Sequence, residues 1–270
     1  MQRSSLTIAI AALVTLGAGA PIAQGTTIYA PNAIVDGQSI SDWTKGWWNW
    51  AAGLPASGNA FDDPTGALAH QNNNGPVFYA AGYFSLPAGY SQPPVLRSFS
   101  VPAGQPILVG LVNLSAFQLS EADETSIISS FRGTNLMATV DGAPVANLSQ
   151  YFQPTDFFSA GPIEPHTIGA SMFATPGFPG VPPDCAPTDL CPGLSTGYWL
   201  MLNLSPGVHT IDTGGTGTFT LPPDLGGGDF SITVGTDYTI TATAPEPASA
   251  LLIIPGLLGV CAARRLLPKR

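Results

Sequence analysis

Few side chains in this 270-residue chain are of types that do chemistry, and fewer stand at useful spacings. The histidines His70, His166 and His209 have no metal-ligand spacing among them, and Asp62-Asp63 lacks the alternating acids and glycine of a calcium loop. Neither a metal nor a cofactor is therefore expected. Asp62, Asp63 and the Asn72–Asn74 run read instead as turn and cap residues. Gly193-Leu194-Ser195-Thr196-Gly197 spells Gly-x-Ser-x-Gly, the turn that presents a hydrolase serine between a strand and a helix. Cys191-Pro192 precedes it, a strand-like run follows, and His209 comes before Asp212 rather than after it. The motif is not expected to act. A glycoside hydrolase would need two carboxylates facing each other at roughly 5–10 Å. Asp62, Asp63, Glu164 and Asp212 are the ones to inspect, and the sequence ranks none of them. Cys185 and Cys191 share one proline-rich loop. In an oxidising compartment they can close a small disulfide ring, worth about 2 kcal/mol at most.

The elements that would position these residues follow from periodicity. Trp43, Trp47, Trp50 and Leu54 fall on one face of a helix that Ser41 can cap and that Gly53 and Pro55 can end. The stripe is expected to pack as core, whereas Trp48 points off it and is the candidate for an exposed, ligand-contacting ring. A second helix is expected over 120–132, with Ser120 as cap and Glu121, Asp123 and Glu124 at its positive end. Strand-like runs cover 77–84, 95–101, 107–113 and 197–203. Residues 137–148 read as a hairpin on an Asp141-Gly142 turn. Further strands are expected at 208–211, 217–221, 230–234 and 238–242. Gly214-Gly215-Thr216-Gly217-Thr218 matches the opening of a calcium-binding nonapeptide but has Phe219 where Asp is needed. A flexible turn is expected there. Residues 151–192 form a long excursion rich in Phe, Pro and Gly, of a length that often makes a binding surface or lid.

The fold class that results is mainly β: a β-sandwich or jelly-roll-like domain with two short helices. An α+β arrangement with the tryptophan helix covering one sheet is the alternative. Arg3, an apolar run over 6–16 and small residues up to Gly25 read as a signal peptide over 1–25, cut before Thr26. Residues 26–244 then form one secreted domain. Its cations are Lys45, Arg97 and Arg132 against sixteen acids, a net charge near −13. Such a surface cannot neutralise phosphates, so nucleic acid is excluded as a partner.

Residues 245–270 carry Pro245-Glu246-Pro247, an apolar run over 248–263 that Leu266 and Leu267 extend, and Arg264, Arg265, Lys269 and Arg270. The run reads as a C-terminal transmembrane helix through 248–267 whose basic end stays in the cytoplasm. This tail resembles the PEP-CTERM sorting domain of Gram-negative bacteria. The resemblance implies recognition of Pro245, Glu246 and Pro247 by an exosortase-type processing enzyme, with Arg264 and Arg265 as stop-transfer charges. It also implies export, transient anchoring in the inner membrane and delivery to the cell surface or extracellular matrix. Elsewhere, Trp47-Trp48-Asn49-Trp50, Gly75-Pro76-Val77-Phe78, Val101-Pro102-Ala103-Gly104, Val140-Asp141-Gly142 and Gly197-Tyr198-Trp199 with Pro206-Gly207-Val208-His209 occur in that order. Together they are similar to a family of uncharacterised secreted bacterial proteins with no established reaction or ligand. Members often carry Cys near positions 67–70 and 98–100, where this chain has none. The expected role is a structural or glycan-binding surface protein, with extracellular polysaccharide as partner. A secreted carbohydrate-active or other hydrolytic enzyme is the alternative.

Overall fold

Two long paired strands, buried on both faces, decide the architecture. The computed structural model describes residues 26–82, 95–117, 119–160, 164, 166–169 and 191–244. In it β6 (Pro106–Phe117) and β10 (Cys191–Asn203) lie antiparallel at the centre of one sheet. Ile107, Val109, Leu111, Leu200 and Leu202 point to one side, and Leu108, Trp199 and Met201 to the other. A sheet covered on both faces needs near-continuous apolar strands, and Tyr198-Trp199-Leu200-Met201-Leu202 is such a run. Short strands complete the sheet: β1 (Thr27–Ile28) and β9 (Phe158–Ala160) beside β10, and β4 (Phe78–Tyr79) beside β6. Between β1 and β4 in the chain, β2 (Ile34–Val35) and β3 (Gln38–Ser39) pair with each other.

The second sheet runs in the order β5 (Val95–Pro102), β12 (Gly228–Thr243), β11 (Gly207–Leu221), β7 (Arg132–Val140), β8 (Ala143–Pro144). Its inward residues Val101, Ala138, Val140, Ile211, Tyr238 and Ile240 meet Ile107, Val109, Leu200 and Leu202 of the first sheet in a shared core. The chain is thus mainly β, with two five-stranded sheets face to face. The pairs β4–β6 and β5–β12 are parallel, unlike the wholly antiparallel wiring of a jelly roll.

Both expected helices form. α1 (Ile40–Ala52) lays Trp43, Trp47, Trp48 and Trp50 over Leu108, Trp199 and Met201, covering the outer face of the first sheet. Its cap is Ser39, whose Oγ accepts the Asp42 N–H at 3.1 Å, two residues earlier than the expected Ser41. α2 (Glu121–Ser130) is capped by Ser120 as expected and packs Ile127 and Ile128 on Leu194, Leu221 and Leu225.

The hairpin at Asp141-Gly142 is present, both turn residues having positive φ as a two-residue turn of this kind demands. Its return arm is only β8, and Leu148–Tyr151 coils into a 3-10 turn. The turn expected at 214–218 does not exist. β11 runs straight through it for 15 residues, and β12 likewise joins 230–234 to 238–242. The glycines are there for clearance: a Cβ at Gly217 would stand 2.8 Å from Phe131 and 2.9 Å from Val112.

The expected leader, Cys185 and the whole sorting segment, including Pro245, Glu246, Pro247, Arg264 and Arg265, lie outside the described residues. Among the described residues no helix is long and apolar enough to cross a membrane.

Candidate functional site

The residues singled out for ligand contact and catalysis are not brought together. Trp48 is 5% exposed, correcting the expectation of an exposed ring. A two-sided helix is the reason: Trp48 packs edge-on to Trp47 at 5.1 Å and on Phe117 at 6.3 Å, and its indole N–H finds no acceptor among the described residues. The other four tryptophans are buried as well, so none offers a sugar-stacking platform. Ser195 sits mid-strand in β10, opposite Ser115 and 1% exposed. No elbow presents it, and Gly-x-Ser-x-Gly here is strand sequence.

The carboxylates do local work. Asp62 accepts from the Gly58 N–H and the Asn59 amide, and Asp63 from the Thr65 N–H, the Thr65 hydroxyl and the Leu68 N–H. This is the expected turn and cap chemistry. Glu164 uses its backbone carbonyl to accept the Thr167 hydroxyl at 2.7 Å. Asp212 accepts the Thr139 hydroxyl at 2.7 Å on the face of the second sheet turned away from the core, directly across from Asp237. Burial, and then the Asp212 charge, push the Asp237 carboxyl up. Among the described residues no three His, Cys, Asp or Glu side chains gather as a metal site would require. Cys191 opens β10, opposite Ala160, and its candidate partner Cys185 falls outside the described residues.

Two constellations were not foreseen. His209 is 7% exposed and spans Asp141 and Ser205. Its Nδ1 lies 2.8 Å from Asp141 Oδ2, and its Nε2 lies 2.8 Å from the Ser205 carbonyl and 3.4 Å from Ser205 Oγ. The Ser-His-Asp likeness stops at that carbonyl. It can only accept, so Nε2 is a donor there and cannot take a proton from Ser205. The cluster is a clasp joining the Asp141-Gly142 turn to the turn before β11. Burial raises the Asp141 carboxyl, but the His209 and Thr210 hydrogen bonds outweigh it and hold the group below its ordinary value. Asp141-Gly142 and Pro206-Gly207 are both turn dipeptides, and that was the available signal.

The second constellation is a groove of about 270 Å3 between α2 and β10. β10 supplies its floor from Leu194 and Thr196, which alternation puts on one face. Thr125, Ile128 and Ser129 line the helix side, and Phe152 and Pro154 the far wall. Phe152 is held there by a ring contact with Tyr198 at 5.2 Å. Arg132, the first residue of β7, stands at the rim, exposed. Its Nη1 donates to the Ser129 and Phe131 carbonyls, each at 2.7 Å, fixing the guanidinium across the end of α2. Thr196 is 1% exposed and its hydroxyl has no partner among the described residues.

No family model, no curated protein and no solved structure matches this chain. The groove escaped the sequence because its parts come from residues 125 to 196. Its linear signals were Arg132, a cation just after a helix end, and the start of the 151–192 excursion, which supplies Phe152 and Pro154.

Proposed function

We propose that this chain is exported through residues 1–25, sorted through residues 245–270, and works at the cell surface or in the extracellular matrix as a structural or glycan-associating protein. In this reading residues 248–267 hold the chain in the inner membrane as a helix. An exosortase-type enzyme recognises Pro245, Glu246 and Pro247, and Arg264 and Arg265 stop transfer. The observation that carries the proposal is where the last described strand stops. β12, the second strand of the second sheet, stops at Thr243, two residues before Pro245. A cut near the motif would leave every described strand intact.

The outer face of the second sheet supports the surface role. Thr210, Asp212, Thr216 and Thr218 on β11 lie beside Thr239, Asp237, Thr233 and Ser231 on β12. Thr216 and Thr233 share a hydroxyl hydrogen bond at 3.0 Å. A hydroxyl-rich face suits contact with a hydrated polysaccharide. Hydrolysis gains no such support, because Asp62 and Asp63 are committed to a turn and Asp212 lies on an open sheet face.

The test is replacement of Pro245, Glu246 and Pro247 by alanine in the native host. The unaltered protein is expected to be shorter than the full chain and reachable by protease on intact cells. The variant is expected to accumulate full-length in the inner membrane. A variant that reaches the surface at the same size would contradict the sorting proposal.

A further inference from the structure

We propose that the groove between α2 and β10 binds one acidic sugar, a hexuronate unit of an extracellular polysaccharide. The inference deepens the surface reading above and rests on it for the supply of ligand.

Charge selects the class of ligand. Three cations serve the whole 26–244 body, and two are committed. Lys45 pairs with Asp42 at 2.8 Å. Arg97 is 2% exposed and donates to the carbonyls of Ala60, Phe61 and Gly82. Arg132 is exposed and pairs with no carboxylate among the described residues. Its Nη1 is tied to two carbonyls, so the plane of the guanidinium is set and its remaining N–H groups are left to donate to a carboxylate side-on. The acidic body repels polyanions at long range, but salt screens that field over about 8 Å while a contact ion pair survives. A single cation does not make a phosphate or nucleic-acid site. It matches one carboxylate.

Shape and lining select the sugar. A volume of about 270 Å3 lies just below the usual range of ligand pockets, room for one ring with the rest of a chain passing outside. Phe152 and Pro154 offer an apolar wall to the C–H face of a pyranose. Thr125 and Ser129 offer hydroxyls at the helix edge, and the unpartnered Thr196 hydroxyl lies at the floor. A fatty acid would need a longer and wholly apolar cavity.

The experiment is calorimetric titration of the full chain in detergent with a short oligogalacturonate, and with a neutral maltooligosaccharide of equal length. Binding of the oligogalacturonate alone is expected. Arg132→Gln should weaken it about tenfold or more, which corresponds to about 1.4 kcal/mol, and Arg132→Lys by less. Because Arg132 also caps α2, Ser129→Leu is the second variant. It leaves the cation in place and fills the groove, and the same loss is expected with an unchanged melting temperature. No binding, equal binding of both oligosaccharides, or binding indifferent to both sites would overturn the proposal. Failure here in a protein found trimmed on the cell surface would sink the groove alone. Binding in the titration, together with a protein on the host surface that still carries residues 248–270, would sink the sorting reading alone.

Discussion

Among individual residues, the buried ionisable groups decide how this body answers pH. Arg97 is the extreme case: burial lowers its guanidinium below the ordinary value, yet it remains a cation. Three carbonyls solvate it in place of water, tying the 60–82 loop to β5. Glu124 is 2% exposed and accepts the Leu119 N–H at 3.0 Å. Burial pushes its carboxyl up to about 7 from 4.5. The native state therefore holds a proton that the unfolded chain releases. The stability this contributes is complete below about 4.5 and lost as pH rises through about 7. Glu124→Gln keeps the acceptor and never charges. It should raise the melting temperature at pH 8 by about 2–4 °C for each kcal/mol recovered, and by much less at pH 5. Thermal melts at the two values check this, and an equal shift at both would contradict it. Neither residue's role was legible in the sequence. Arg97 looked like any strand residue, and Glu124 like one more acid of a helix start.

For the elements, the tryptophan helix is the informative case. Its period, length and end were legible because Trp43, Trp47, Trp50 and Leu54 repeat at helical spacing, and all four are buried. Two features were not. Trp48 was expected in solvent because it leaves the stripe, but Phe117 of β6 and Phe158 of β9 extend the apolar surface beneath it. Gly46 looked like a weakness, yet the Tyr79 hydroxyl lies where its Cβ would stand. Tyr79 is itself wedged against Trp43 and Trp50, with ring centroids 6.5 and 5.9 Å away. Gly46→Ala gains helix propensity of about 1 kcal/mol but must displace that ring, and overpacking costs typically about 1–3 kcal/mol. A net loss of stability is expected. Tyr79→Phe removes the obstructing hydroxyl, so the double variant should be more stable than Gly46→Ala alone. Chemical denaturation of the four proteins gives the cycle, and strict additivity would contradict the packing account.

The whole molecule joins a legible outline to an illegible interior. Strand-rich composition, turn placement and an unbroken apolar run over 198–202 indicated a mainly β body with two short helices, and that is what forms, while the tryptophan helix covering one sheet was a feature of the alternative reading. The pairing order was beyond reach. β5 finds β12 across some 140 residues, and His209 finds Asp141 rather than the nearby Asp212. The glycine run 214–217 misled because glycine serves close packing as readily as turning. The groove depends on the same long-range assembly, so it too surfaced only in three dimensions. The sorting proposal has the mature body made by trimming at both ends. Intact-mass measurement of the protein recovered from the surface of its host tests it most directly. A chain beginning at Thr26 and ending near Pro245 is expected, replaced by one that retains the tail in a strain without the processing enzyme. A surface protein whose mass still includes residues 248–270 would contradict it.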